Sequence, residues 1–549
     1  MKTTKDDLLA MEYTEVLRSE DPEIRQVAKD VFGIRRVPIL PEWKLKRHQI
    51  EILQWLFERE NTTYMNITGG IVAADMGLGK TLTASVHSLS RPRGRNPTLI
   101  VCSKTLMASW KADLTKFLGD AWVTKNVIFL HRDYLGVAGL EKITSEEIRN
   151  AELVITAYPA CSTGYKAVCD RLVTKAESSH TGLDVLYDRI WTRIILDESQ
   201  TIANPITAMY SATRALRSEK KICLTGTPVK NVDQDILSQL LFLGIRPVPS
   251  AKAWDARRFY DLGLDRLLLS MDYEYADVKL PDKDDYFVTV KMSPEELIAY
   301  KHVETRAQEI YDEMEKYIVK YHCVLEMLLR LRQFCLAPYL TSLSSSCTNA
   351  LAQMGPAISD SKLATWLTDK EGTAGLQSAK TNALMTTLEG LSTCKVVVFS
   401  YFSGYLNLVG ELLTKIGRPY FLMDGKVKVK DRAEMVRRFT EEDKPWVLLL
   451  NYKIGSEGLN LQACSNVIFT DLCWNAAGMQ QAAKRVWRLG QNEVVHCYYL
   501  LIDNSVESRM MEICQDKGDI MKEYLSGETA KLDRDVIGRI LGRARTTRR

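Results

Sequence analysis

No two of the twelve cysteines stand in a Cys-x-x-Cys pair. That spacing marks most zinc modules and dithiol redox sites, so neither is expected, and nor is a disulfide framework. Cys102, Cys223, Cys394, Cys464 and Cys473 fall in or beside apolar runs and read as buried thiols. No run reaches the ~18–20 consecutive apolar residues of a membrane span. Met1-Lys2-Thr3-Thr4-Lys5-Asp6-Asp7 leads into no signal-peptide core. Short tandem repeats are absent as well. Together these absences predict an intracellular soluble protein with no zinc and no membrane partner; they leave its oligomeric state open. What is present is globular in kind: 46% apolar and 26% charged residues in a chain of 549. The net charge of +4 is unevenly placed, for residues 521–549 alone hold eight cations against four anions. A basic tail suits an anionic partner such as nucleic acid, and equally a solvated terminus.

The informative stretch is Ala74-Asp75-Met76-Gly77-Leu78-Gly79-Lys80-Thr81. It follows an apolar run, Ile71-Val72-Ala73, and precedes a helical pattern from Leu82 to Ser88. That is the strand, loop, helix order of a phosphate-binding P-loop. Gly77 and Gly79 allow the tight turn that points successive N–H groups at phosphate oxygens, and the helix adds its positive N-terminal end. Lys80 can follow the outer phosphates and the Thr81 hydroxyl can ligate magnesium. Ala74 stands where the strict pattern has Gly. Upstream, Trp43 to Leu56 reads as an amphipathic helix. Its Gln49 carries an amide able to read an adenine edge with one donor and one acceptor, or simply to face solvent.

Short apolar runs then alternate with helical segments: Thr98–Cys102, Val127–Leu130, Leu153–Thr156, Arg193–Leu196 and Lys221–Leu224. The alternation predicts an α/β fold, a parallel sheet covered by helices, with function on loops at the carboxyl ends of strands. Two such ends carry chemistry. Asp197-Glu198-Ser199-Gln200 offers Asp197 to magnesium and Glu198 as the proton acceptor for an attacking water. Thr225-Gly226-Thr227-Pro228 follows the next run. From about residue 250 the alternation stops. Pro294 to Phe334 reads as mostly helical and 341–378 as a loop or loose insert. A second set of runs follows at Lys395–Ser400, Tyr420–Met423, Trp446–Leu450, Asn466–Thr470 and Val494–Leu501, without a second P-loop. Arg485 and Arg488 are three apart, so on a helix they would share a face suited to γ-phosphate charge, or to acidic neighbours.

In this order the pieces resemble the motor of the SWI/SNF family of superfamily-two helicase-like ATPases, over roughly residues 37–515. Beside the stretches already quoted, the likeness rests on Trp191-Thr192-Arg193-Ile194-Ile195-Leu196-Asp197-Glu198, Leu224 to Pro228 with Asn231, and Leu329-Arg330-Leu331-Arg332-Gln333-Phe334-Cys335. It continues through Asp424-Gly425, Gly458-Leu459-Asn460-Leu461, Trp474-Asn475 and Arg485-Val486-Trp487-Arg488-Leu489-Gly490-Gln491. The wording is most similar to the branch with post-replication-repair translocases and transcription-termination ATPases. Ser199-Gln200 replaces that family's usual Ala-His, and Lys484 and Trp487 replace an Asp and a His. The insert holds Cys347 but no His, so the RING zinc domain of some relatives is not expected.

The resemblance implies two RecA-like parallel-sheet lobes with a helical insertion between them. Its divisions are an N-terminal extension 1–36, a first ATP-binding lobe 37–250, a helical insertion and linker 251–378, a second lobe 379–515 and a basic tail 516–549. It implies ATP and Mg2+ as cofactors, with Gln49 and Ala74 through Thr81 on the nucleotide. Thr81 and Asp197 would hold the metal, and Glu198, Arg485 and Arg488 would be catalytic. Gln200, Thr225, Gly226 and Thr227 would couple hydrolysis to motion. The expected activity is a DNA-dependent ATPase that moves on double-stranded DNA and displaces bound proteins, such as nucleosomes or transcription machinery. A strand-separating helicase and an ATP-gated DNA scaffold stay open as alternatives. The nucleus is the expected location, or a cytoplasmic viral factory or virion for a viral protein. Finally, Lys426, Lys428 and Lys430 alternate with valines after a second-lobe strand; read as extended, they would line one side against DNA phosphates, or face solvent.

Overall fold

The structure is a computed structural model of the full chain. It describes residues 37–91, 94, 96–174, 182–229, 234–246, 254–276, 279–316, 321–341, 378–427, 429–455, 459–473, 476–512 and 540–541. The expectations for 1–36, most of the insert, Asn231, Lys428, Gly458, Trp474-Asn475 and nearly all of the tail lie outside the described residues.

The first unit runs through Lys279 and is built on one parallel sheet. Its strands are β1 (Gly69–Ala74), β2 (Thr98–Cys102), β3 (Val127–Phe129), β4 (Leu153–Ala157), β6 (Arg193–Asp197), β8 (Lys221–Thr225) and β9 (Leu268–Met271), with the two-residue pair β5 (Ile190–Trp191) and β7 (Arg217–Ser218) set apart. The order across the sheet is β3-β4-β2-β6-β8-β1-β9. β1, β2, β4 and β6 are buried at every position. This is why they read as unbroken apolar runs: a parallel strand covered on both faces has no solvent side to make polar. The order also explains the site. β8 lies between β6 and β1, pairing Leu196 with Cys223 on one side and Val72 with Leu224 on the other. Three strands far apart in sequence thus end side by side.

The second unit begins at Leu280 and is built on a second parallel sheet. Its strands are β10 (Lys283–Val290), β11 (Val396–Ser400), β12 (Tyr420–Met423), β13 (Val447–Asn451), β14 (Asn466–Phe469) and β15 (Val495–Ile502), in the order β10-β15-β14-β11-β13-β12. Alternate residues feed two cores. Val397, Phe399, Leu448 and Val467 pack into one, and Val396, Val398, Leu449 and Ile468 into the other. The first of these cores also takes in Ile540 and Leu541, so part of the segment read as a basic tail is buried.

Two expectations change. The chain divides after Lys279, not at 250, because β9 adds an edge strand to the first sheet while β10 adds one to the second. Of the segment 251–378 read as a helical insertion and linker, the helices Pro294–Lys316 and Tyr321–Leu336 group with the second unit. Neither β9 nor β10 stands out in the sequence as a buried run. β10 is a partly exposed edge strand that opens with three charged residues, Lys283-Asp284-Asp285, before Tyr286, Phe287 and the Val288-Thr289-Val290 end.

Candidate functional site

The helix Lys80–Ser90 starts where the loop after β1 ends, and the loop earns its glycines. Gly77 and Gly79 have φ of +84° and +83°, a backbone region costly to other L residues. Gly79 has a second reason: a Cβ there would come within 2.1 Å of Gln49 Nε2. Gln49 sits in the first turn of the helix Arg47–Asn61, buried. Its Oε1 accepts from Lys46 N at 2.9 Å, closing the helix start, and its Nε2 donates to the Leu78 carbonyl at 3.2 Å. An amide oxygen has a second lone pair and an amide nitrogen a second hydrogen, so these bonds leave one of each for a base edge. His48 Nε2 donates to the same carbonyl at 3.1 Å. Burial lowers the His48 pKa, which keeps the ring neutral there.

Lys80 Nζ bonds the carbonyls of Ala74 at 2.6 Å and Asp75 at 3.1 Å. Gly226 lies against the loop: a Cβ there would stand 3.6 Å from the Ala74 carbonyl oxygen and 3.9 Å from Lys80 Nζ. The third strand end thus reaches the first without a side chain in the way.

Asp197 ends β6 and is buried. Its Oδ2 accepts from Trp110 Nε1 at 2.8 Å and its Oδ1 from Glu198 N at 3.0 Å, while Tyr158 Oη donates to its carbonyl at 2.9 Å. Burial and the charge of Glu198 push its carboxyl up to about 6, against the opposing pull of Trp110 and Lys80. Two carboxylates beside one lysine leave a local shortage of positive charge. A divalent cation on the remaining lone pairs of Asp197 and the Thr81 hydroxyl would correct it, so the residues fit magnesium.

Glu198 adopts φ 50°, ψ 53°, left-handed for a residue with a Cβ. Such a conformation is strained and persists where neighbours hold it. Here Gln200 Nε2 donates to Glu198 Oε2 at 2.6 Å, and Gln200 Oε1 accepts from Thr225 Oγ1 at 2.7 Å. Thr225 Oγ1 in turn accepts from Thr227 N at 2.9 Å. A second link runs beside it: Ser199 Oγ donates to Gln239 Oε1 at 2.7 Å, and Gln239 Nε2 to the Pro228 carbonyl at 2.7 Å. Both residues that depart from Ala-His therefore join the Asp-Glu loop to the Thr-Gly-Thr-Pro loop.

In the second unit the helix Ala476–Ala483 ends before Arg485 and Arg488. They lie in the turns that follow, not on one helical face. The Arg485 carbonyl accepts from Leu461 N at 3.0 Å, a bond that takes it out of a continuing helix. Arg485 is buried and Arg488 partly exposed. The lysine segment is not extended either. Lys426 N donates to Asp424 Oδ1 at 2.9 Å in a turn, and a helix starts at Val429 with Lys430 in its first turn. Asp424 makes the turn by capping the backbone two residues on. Lys426 is exposed.

Sequence reasoning passed over His48, Trp110, Tyr158 and Gln239. Each contacts the site across 29 or more residues or sits in a helix of ordinary composition, so no local spacing marks it.

A P-loop after β1, an Asp-Glu pair at the end of β6, a Thr-Gly-Thr turn after β8 between them and a second parallel-sheet unit together define a helicase-like P-loop ATPase. The SNF2-related domain matches residues 48–340, and the helicase conserved C-terminal domain matches residues 379–490. The chain belongs to the SNF2 family of helicase-like ATPases. It is 29% identical to "Putative helicase 172L" of Invertebrate iridescent virus 6, covering 91% of this chain and 95% of that protein. It is 28% identical to the "Probable global transactivator" of Orgyia pseudotsugata multicapsid polyhedrosis virus, covering 88% and 92%. Against the "CHD3-type chromatin-remodeling factor CHR7" of Arabidopsis thaliana the identity is 26%, over 90% of this chain but 40% of that one.

Proposed function

We propose that this chain is a DNA-stimulated ATPase that moves along double-stranded DNA and displaces proteins bound to it. The observation that carries the reading is the continuous chain Glu198, Gln200, Thr225, Thr227, which ties the proposed base to a neighbouring loop. An enzyme that only hydrolysed ATP would need no such tie; one that converts hydrolysis into motion needs the state of the base to be felt elsewhere. Two relatives of nearly matching length, one named a helicase and one a transactivator, support a nucleic-acid substrate.

In this reading the glycine-rich loop and Lys80 hold the phosphates and Gln49 the adenine. Thr81 and Asp197 would hold magnesium, which would supply charge neutralisation on the phosphate oxygens. Glu198 takes the proton of the attacking water, and its bond from Gln200 orients the carboxylate for it. Arg485 and Arg488 are assigned to γ-phosphate charge. Exposed Lys426 is assigned to DNA phosphate, which positions the protein without reading sequence.

Displacement of a biotinylated duplex-bound protein, with ATP and on duplex DNA, tests the function. Release that needs ATP hydrolysis and leaves both strands paired is expected. Strand separation without release would make this a helicase in the strict sense, and DNA binding without turnover a scaffold.

A further inference from the structure

The glycine-rich loop grips a phosphate only if its peptide planes are turned N–H inward. A trans peptide points its carbonyl the opposite way, so each inward N–H requires an outward carbonyl with a partner. The Leu78–Gly79 plane has its carbonyl partners in His48 and Gln49. The Met76–Gly77 plane has a different one: the Met76 carbonyl accepts the hydroxyl of Tyr273, 197 positions further along the chain.

Tyr273 stands two residues past β9 and is half-buried. Its place is set on both sides. Before it, Asp75 N donates to the Met271 carbonyl at 2.9 Å, so the end of β9 runs on beside the loop. After it, Asp272 closes a turn, with Oδ1 accepting from Tyr275 N at 2.7 Å and its carbonyl from Ala276 N at 3.1 Å. Steric contact does not hold the plane that Tyr273 bonds. A Cβ on Gly77 would meet nothing within 4 Å, and glycine in open space turns its peptide at little cost.

We propose that Tyr273 is a positioning residue for the phosphate grip: its hydroxyl holds the Met76–Gly77 peptide with the Gly77 N–H facing the nucleotide. The proposal rests on the reading of residues 74–81 as the nucleotide loop. Tyr273 touches neither nucleotide nor metal in it; it acts through the backbone.

The test is equilibrium binding of a fluorescent N-methylanthraniloyl ADP to the full chain. Tyr273→Phe keeps the ring and removes the hydroxyl. The dissociation constant is expected to rise roughly three- to tenfold, the scale of one lost hydrogen bond. Tyr273→Gln, which keeps a donor on a long side chain, should bind more tightly than Tyr273→Phe, and it serves as the variant of record if Phe fails to fold. Gly77→Ala loosens the same plane by placing a side chain at positive φ. If Tyr273 acts through that plane, the double variant falls short of the product of the two single effects. An unchanged constant in Tyr273→Phe, a Gln variant weaker than Phe, or fully multiplicative effects would each overturn the proposal. Lys80→Ala separates this from the underlying reading: if it binds the probe like the wild type, the loop is not the grip at all.

Discussion

The two units bring parallel strands to an end in the same way and fill the crevice beyond those ends differently. In the first unit β1, β8 and β6 end beside a glycine-rich loop, a Thr-Gly-Thr turn and a strained Asp-Glu pair. In the second, β11 and β14 end side by side on a buried ion pair. Asp471 accepts from Ser400 Oγ at 2.7 Å and from Tyr401 N at 3.1 Å, and stands 3.6 Å from Arg332. Arg332 donates to the Leu472 carbonyl at 2.7 Å and lies over the rings of Tyr401 and Phe402. A parallel sheet makes such a crevice wherever its strands end. Small residues and backbone N–H groups leave it open to a ligand; an arginine and two aromatic rings close it. A raised carboxyl does not tell the two apart, since burial raises both Asp197 and Asp471. What differs is what stands around each. Asp197 has a second carboxylate beside it, whereas Asp471 has its own guanidinium.

The largest effects should come from the open crevice. Lys80→Ala is expected to abolish ATP turnover and weaken nucleotide binding. Glu198→Gln should keep binding and lose turnover, and Arg488→Ala should keep binding and lower turnover by about 10³-fold, as for other arginine fingers. Steady-state phosphate release beside probe binding checks all three. Normal turnover in Glu198→Gln would place the base elsewhere.

Next is the closed crevice. Arg332→Met leaves Asp471 buried without its cation, which costs about 3–5 kcal/mol in comparable pairs. Calorimetry should show a less stable second unit while nucleotide affinity, measured well below the melting temperature, stays near wild type. A loss of affinity as large as in Lys80→Ala would erase the contrast between the two crevices.

Acid should then separate the units. Glu60 is buried in the first unit, with both carboxylate oxygens bonded to Arg193 and with His87 Nε2 3.0 Å away. Burial opposes its charge, but His87 and Arg193 outweigh burial and hold the carboxyl well below the usual range. His87 is lowered by burial from 6.5 to about 4, despite Glu60. Below pH 6.5 the unfolded chain protonates this histidine while the folded one does not, so folding stability falls as pH drops toward 4. The loss is roughly 3 kcal/mol for the histidine, with Glu60 adding to it below its unfolded value. Asp197 of the first unit is raised by burial to about 6, so it takes up a proton in the folded state first and offsets part of that loss. The second unit has no such loss to offset among these groups: Asp471 and Glu507 are both raised by burial, so it takes up protons first and gains stability as the unfolded carboxyls' range is approached. Unfolding followed at pH 7 and pH 5 should therefore show the first unit losing more than the second; equal losses would mean that these buried groups do not set the difference.

The smallest effect is expected at Lys426. Lys426→Ala should flatten the slope of log DNA affinity against log salt by about 0.9, the contribution of one phosphate contact. An unchanged slope returns this lysine to solvent.

Much of this was legible in order along the chain. Fully buried strands must be apolar throughout, so β1, β2, β4, β6, β8 and the core strands of the second sheet announce themselves. The glycine-rich loop does so as well, because its backbone angles admit little else. Edge strands β9 and β10 did not, since an edge needs no apolar run, and the division of the chain moved with them. The helix through Arg488 and the extended lysines failed for another reason: a periodic pattern cannot foresee that Leu461 will take the Arg485 carbonyl or that Asp424 will cap its own turn.

By itself, then, the sequence determined which chemical groups this protein owns and on which strand ends they stand, because local backbone geometry and burial dictate those residues. Only the tertiary structure decided how they act together. That Gln200 spans Glu198 and Thr225, that Trp110 holds Asp197, and that Tyr273 holds Met76 are contacts between residues distant in sequence. The sheet order β6-β8-β1 is what brings the strand ends together, and no spacing along the chain encodes it.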